Sequence, residues 1–325
     1  MHRSGASARS RSARITRIGL SAALGLVLLP AIALAAPPAM CGAPADMHDG
    51  WTVAAPAQEG LDPKLICAIG PRLEKLTEAD PNGVVVVRHG VLVYEHYFGV
   101  EPFAWNASTV HALHSVTKSV VALLTGIALD RGWLRSLDTP VLSFFPKDAD
   151  LRTPGKERIT LRNLLSMTSG LLWPEHAVSY QDPSNIWRRM VEAADPDRLV
   201  LAQPLAATPG TVWDYDSGGV ELLGAILQKV SGRPLDPFAK EALFDPLGIA
   251  DWAWGRLRDG EPSASNGLLL RPRGLAPRHL ARASDRLGRL DQRDDRAAQP
   301  PGLAVRHCRR LRLSVVARSR KDRYS

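Results

Sequence analysis

Two periods of apolar residues alternate along this chain. Gly83–Arg88 and Val91–Phe98 are short, β-branched and aromatic runs with His89-Gly90 between them, which predicts two antiparallel strands joined by a two-residue turn. Ser119–Asp130 is apolar on nearly every side, the pattern of a core helix, and Gly132 suits its C-terminal cap. Thr160 predicts the cap of a helix over 161–167, which Thr168-Ser169-Gly170 stops. A helix over 220–230 closes at Ser231-Gly232-Arg233-Pro234, and Asp236 predicts the cap of another running to Leu243. A short helix is expected around Pro63 to Leu76. The patterned stretch runs over 61–273. After Gly274 the pattern stops: residues 271–325 hold 15 Arg, no Trp, Phe, Ile or Met, and no clear strand period, which predicts a disordered tail over 274–325.

Charge refines this division. The chain carries +8 overall, but five Arg lie in residues 1–35 and the tail is strongly basic, so the stretch between is net acidic. That distribution argues against a nucleic-acid partner, because the globular part has no excess of positive charge. The Arg residues at positions 3 to 17 precede an apolar run from Ile18 to Leu34, and Ala33-Leu34-Ala35 offers a small-x-small cleavage site. Residues 1–35 therefore read as a secretory signal and place the mature chain in the periplasm or outside the cell, with this segment as its sole membrane contact. The alternative is an uncleaved anchor, for which the run is short. Residues 36–60, rich in Pro, Ala and Gly, read as a linker. After export Cys41 and Cys67 can pair, leaving Cys308 over; two free thiols are an equal alternative.

Candidate chemistry centres on Ser115-Val116-Thr117-Lys118. Three residues apart on a helix, Ser115 and Lys118 share a face one turn apart. A serine hydroxyl is a weak nucleophile until a neighbouring base takes its proton, and an amine can do so if its surroundings lower its pKa. The helix start also aims backbone N–H groups at developing negative charge. In Pro209–Gly219, a Gly-rich turn entering a helix, Tyr215 can share the proton with Lys118, and Ser217 can donate a hydrogen bond at the same cleft. A buried tyrosine and an N-cap serine are the structural alternative. Trp173 and Trp187 either wall a pocket or fill the core. His111 and His114 flank the serine as loop packing, His89 is a turn residue, and no His pair has metal-ligand spacing, so neither metal nor cofactor is expected.

Together these stretches resemble the serine beta-lactamase-related hydrolases, the superfamily of penicillin-binding proteins, class C beta-lactamases, related esterases and 6-aminohexanoate-dimer hydrolases. The likeness rests on His114-Ser115-Val-Thr-Lys118-Ser119, Leu164-Leu-Ser-Met-Thr-Ser-Gly-Leu171, Tyr215-Asp216-Ser217, Leu222-Leu-Gly-Ala-Ile-Leu227 and Asp245-Pro-Leu-Gly-Ile249, in that order over about residues 80–273. It implies a beta-lactamase/transpeptidase-like α+β fold, with a helical region beside an antiparallel sheet. It implies Ser115 as the acylated nucleophile, Lys118 and Tyr215 as its proton shuttle, Ser217 as a substrate contact, and the Ser115 N–H as one oxyanion donor. The substrate would be a small amide, ester or peptide; the oligomeric state is not legible.

The family's third motif, a Lys-Thr-Gly or His-x-Gly on a late strand, does not follow residue 273. A frameshift near Arg273 accounts for this. Reading Leu311–Ser319 one base later permits Tyr-Gly-Tyr-Gln-Trp-Trp-Leu-Gly-Arg, which resembles a stretch these hydrolases carry before that motif. The sheet is then expected to be incomplete and the activity impaired. The rival reading is a non-catalytic remnant or a binder of cell-wall peptides or penicillin.

Overall fold

The computed structural model describes residues 41–99 and 104–275, and the backbone of 312–319. The signal-like segment and most of the basic tail lie outside the described residues. The fold is α+β, with small and incomplete sheets.

The strands are β1 (Thr52–Val53), β2 (Ala79–Arg88), β3 (Val91–Tyr97), β4 (His111–Ala112), β5 (Trp252–Trp254), β6 (Leu268–Leu270) and β7 (Arg312–Ser319). One sheet has the order β1-β3-β2-β7; β2 runs antiparallel to β3 and β7, whereas β1 runs parallel to β3. The predicted hairpin is present, and both turn residues have positive φ, 51° at His89 and 81° at Gly90. That geometry matches the right-handed twist of the flanking strands. Alternate side chains of β2 go to opposite faces: Val84 and Val86 pack with Ile66 and Phe98, while Val85 and Val87 pack with Trp51 and Leu92. Val86 pairs with Tyr94 but Val87 with Leu92, so Val93 is an extra residue, a β-bulge.

The helices are α1 (Pro63–Cys67), α2 (Ile69–Leu73), α3 (Val116–Asp130), α4 (Leu161–Leu165), α5 (Ile186–Val191), α6 (Pro196–Leu201), α7 (Ser217–Ser231) and α8 (Leu235–Ala239). Helices α3 to α8 share one core with Trp173, Trp254 and Leu268. Helix α3 buries Thr117, Val121, Leu124, Thr125 and Ala128, a single stripe, while Val116 and Leu123 are exposed. Its apolar sequence predicts fuller burial than it has. Thr160 caps α4 in a box with Asn163. Helix α7 starts at Ser217 rather than Val220. Asp216 caps it by accepting from the Gly219 N–H at 2.7 Å, and Gly218 permits contact with Trp173, since a Cβ there would lie 2.7 Å from the indole. Asp236 caps nothing; it sits in the first turn of α8 and pairs with Arg256. Among the described residues no helix is long and apolar enough to cross a membrane.

Two sequence expectations need correction. The described part of the linker, 41–60, is packed: Trp51 is buried, Thr52–Val53 joins the sheet, and Cys41 is disulfide-bonded to Cys67. The reason is a buried ion cluster. Arg273 forks onto Glu95 at 2.6 and 2.9 Å, reaches Asp49 at 3.0 Å and donates to the Ala45 carbonyl at 2.9 Å. The tail also supplies a strand, since β7 pairs with β2 from Ala79↔Ser319 to Val87↔Arg312. Its central Leu313-Ser-Val-Val-Ala317 is short, apolar and partly β-branched, enough to extend an open edge despite the Arg-rich surroundings.

Candidate active site

Ser115 sits at the mouth of α3, exposed, with its side chain free of any capping role. The approach is tight: His114 has φ 46°, and its carbonyl accepts from the Thr117 N–H at 3.0 Å. Thr117 is fully buried and accepts from the Leu268 N–H at 3.2 Å, while the Leu113 N–H donates to the Leu268 carbonyl at 2.8 Å. The start of α3 is thus riveted to β6, the central strand of the β4-β6-β5 sheet.

One turn on, the Lys118 ammonium lies 3.1 Å from Ser115 Oγ and donates to the Ser265 carbonyl at 2.9 Å. Tyr215, a hundred residues away in sequence, donates its O–H to Ser115 Oγ at 2.6 Å, and Lys118 Nζ lies 5.0 Å from the centre of its ring. Hydroxyl, amine and phenol therefore meet at one point. Both groups donate to Ser115 Oγ; either one, once deprotonated, lies within hydrogen-bond reach of a proton leaving Ser115. Among the described residues no hydrogen bond from the Ser115 N–H is seen.

Ser217 does not reach this point. Its side chain is buried; the hydroxyl donates to Glu175 at 2.8 Å and its N–H to the same carboxylate at 3.0 Å. The expectation of a substrate contact fails because Ser217 opens α7 and turns inward, where Glu175 claims both donors. Glu175, which the sequence did not single out, also accepts from Trp173 Nε1 at 2.7 Å and from the Tyr180 O–H at 2.7 Å. The Tyr180 phenol is held protonated, with its pKa raised first by burial and then by Glu175. Its oxygen also lies 3.2 Å from His176, whose ring stacks on Tyr215 at 5.1 Å. Tyr215 is therefore set from two sides, through the backbone of Asp216–Ser217 and through the His176 ring. Asp216 is buried and accepts from Ser169 at 2.9 Å; burial pushes its carboxyl up to about 6.

The remaining candidates are structural. Trp173 is wholly buried in the core and Trp187 packs against it. His111 is buried, its ring 4.4 Å from that of Trp105 and its Nδ1 3.3 Å from the Asn82 amide; burial lowers its pKa. The signal that would have found Glu175 in sequence is weak: a lone acid in a polar loop, among many.

An α+β fold that brings a serine, a lysine one turn on and a distant tyrosine to one point defines the class of penicillin-recognising serine enzymes and their relatives. The chain belongs to the Beta-lactamase family, whose profile matches residues 75–292. It is 32% identical over 178 residues to esterase EstB of Burkholderia gladioli, covering 51% of this chain and 45% of that one. It is 31% identical over 159 residues to a lovastatin esterase of Penicillium rubens, covering 43% of this chain and 38% of that one. Among solved structures it resembles a putative 6-aminohexanoate-dimer hydrolase from Bacillus anthracis, with TM-score 0.53, 21% identity, and coverage of 63% of this chain and 54% of that one. The chain thus spans less than half the length of the two curated relatives.

Proposed function

We propose that this chain is an exported serine hydrolase that opens a small ester or amide through an acyl-serine. Ser115 Oγ attacks the carbonyl carbon, its proton passes to the Lys118–Tyr215 pair, and the pair returns that proton to the leaving alcohol or amine. Water then adds to the acyl-serine, gives its proton to the same pair, and frees the acid as Ser115 is re-protonated. One of the two must enter each step deprotonated to take the proton. The carrying observation is the approach of Tyr215 Oη and Lys118 Nζ to Ser115 Oγ, 2.6 and 3.1 Å. Two of the similar curated proteins are named esterases, which favours an ester substrate.

We also propose that turnover is slow. The Ser115 N–H would supply one oxyanion donor, and the superfamily's third motif, the Lys-Thr-Gly or His-x-Gly strand beside the second donor, does not follow residue 273. Losing one donor costs about 2.7–4 kcal/mol of transition-state stabilisation, or roughly 100–1,000-fold in rate. The frameshift explains that loss, and the nucleotide sequence across codons 268–325 tests it: codons incompatible with the offset reading remove it. The functional test is a fluorophosphonate probe on the purified chain, with peptide mass spectrometry to locate the adduct. A single adduct at Ser115, absent from Ser115→Ala, supports the hydrolase; no adduct at saturating probe sinks it and leaves the non-catalytic remnant.

A further inference from the structure

Helix α7 carries a buried carboxylate that the chemistry above does not use. Glu221 is 4% exposed and takes three donors from one loop. Its Oε1 accepts from the Ser263 hydroxyl at 2.6 Å and from the Ser265 N–H at 3.0 Å, and its Oε2 accepts from the Ala264 N–H at 2.7 Å. The loop is drawn onto α7 independently of these bonds. One turn beyond Glu221, a Cβ on Gly224 would lie 2.5 Å from the Ala264 Cβ, so the close approach exists only because residue 224 has no side chain. The loop closes on itself through the Gly267 N–H, which donates to the Ser263 carbonyl at 3.1 Å.

What this loop presents outward is the Ser265 carbonyl, the acceptor for Lys118 at 2.9 Å. An ammonium on a four-carbon stem has three donors and many rotamers, so it is placed only as well as its partners are. Here one partner is the nucleophile itself. The other has to be immobile if the amine is to stay 3.1 Å from Ser115. Ser265 has no exposed surface, and its amide is bonded to Glu221 while its carbonyl faces Lys118, so the carboxylate and the ammonium hold the same residue from opposite sides.

We infer that Glu221 is a positioning residue for the acylation step: through the Ser265 carbonyl it fixes where the Lys118 amine sits relative to Ser115 and Tyr215. The inference rests on the hydrolase reading for its consequence and on the geometry alone for the placement of Lys118. Replacing Glu221 by Gln keeps the volume but sets an NH2 against a backbone N–H, so the loop must shift. A shift of ~1 Å at a reacting group can cost ~100-fold in rate.

The test uses the full chain with Glu221→Gln and, as a milder change, Ser263→Ala, which removes the 2.6 Å hydroxyl bond to Glu221 and that hydroxyl's 2.7 Å contact with Asn266 but keeps both backbone N–H bonds to the carboxylate. Two readouts are taken across pH: the rate of fluorophosphonate labelling at Ser115, and competitive acetylation of Lys118 by acetic anhydride, both by peptide mass spectrometry. In Glu221→Gln the labelling of Ser115 falls about 10–100-fold, and the midpoint of Lys118 acetylation moves by about half a pH unit or more. Ser263→Ala moves both in the same direction by less, and it decides the matter if the Gln variant does not fold. A folded variant whose Lys118 midpoint coincides with that of the unaltered chain overturns the inference. If Ser115 is never labelled while the Lys118 midpoint still moves, the positioning role stands and the hydrolase reading falls.

Discussion

Replacing Tyr215 by Phe removes one oxygen from the site and nothing else of consequence. The ring keeps its stack on His176 at 5.1 Å and its place 5.0 Å from the Lys118 ammonium. The backbone on either side stays pinned, Asp216 by Ser169 and Gly219, Ser217 by Glu175. The deleted group is the 2.6 Å bond to Ser115 Oγ, the shorter of the two that the nucleophile makes. A positioned acid–base group contributes about 100–10,000-fold to a proton-transfer step, or ~3–5 kcal/mol. Phosphonylation of Ser115 by a fluorophosphonate, in which the serine oxygen bonds phosphorus and fluoride leaves, should therefore slow by that factor, with thermal unfolding unchanged. Lys118→Met should do at least as much, since it removes the amine that donates to Ser115. The assay follows adduct formation by intact mass against time at several probe concentrations. A Tyr215→Phe chain that is labelled within about threefold of the original rate, below the smallest effect such a group supplies, would refute the phenol as proton carrier.

Arg273→Ala removes the buried cation that Glu95 and Asp49 share and should cost about 3–5 kcal/mol, read as a lower urea midpoint at unchanged slope. Preventing the Cys41–Cys67 bond with a double Ser variant frees a loop of 26 residues and should cost about 3–4 kcal/mol by loop entropy, measured the same way. Asp216 makes stability depend on pH. Its carboxyl is raised from 3.8 to about 6, so the native state holds a proton that the unfolded chain has lost. This contribution is complete below the unfolded pKa and disappears as pH rises through 6, by up to ~3 kcal/mol. Asp216→Asn should flatten that fall; denaturation curves at pH 4 and pH 7 that differ equally in both chains would contradict it.

The sequence was most legible where one residue does one local job. The turn at His89-Gly90, the Thr160 cap and the Ser115–Lys118 spacing all follow from nearest neighbours along the chain, and the structure has each of them. Tyr215 was legible only through the motif around it, because nothing local to residue 215 says that its hydroxyl will travel to Ser115. The start of α7 was misplaced by two glycines of low helix propensity, which are there for the Trp173 ring and the Asp216 cap. The linker reading failed for a similar reason: Pro, Ala and Gly describe its flexibility when free, whereas Arg273, more than 200 residues on, decides that it is not free.

What the sequence concealed has a common physical form. Glu175 and Glu221 are each buried, and each satisfies three or more donors drawn from segments that are polar and irregular. In a periodic element the backbone bonds itself, so such carboxylates are not needed there. In a loop that must hold a fixed shape inside the protein, the orphan N–H groups have to find an acceptor, and an ionised carboxylate takes several at once. Lys118 sits on α3 and Ser115 at its mouth, but the Ser265 carbonyl that takes the Lys118 bond and the turn that presents Tyr215 sit on loops. Two buried acids supply the rigidity those loops lack by themselves. An acid that organises a loop has no spacing rule in sequence, which is why the meeting of Ser115, Lys118 and Tyr215 could be read from the chain and its supports could not.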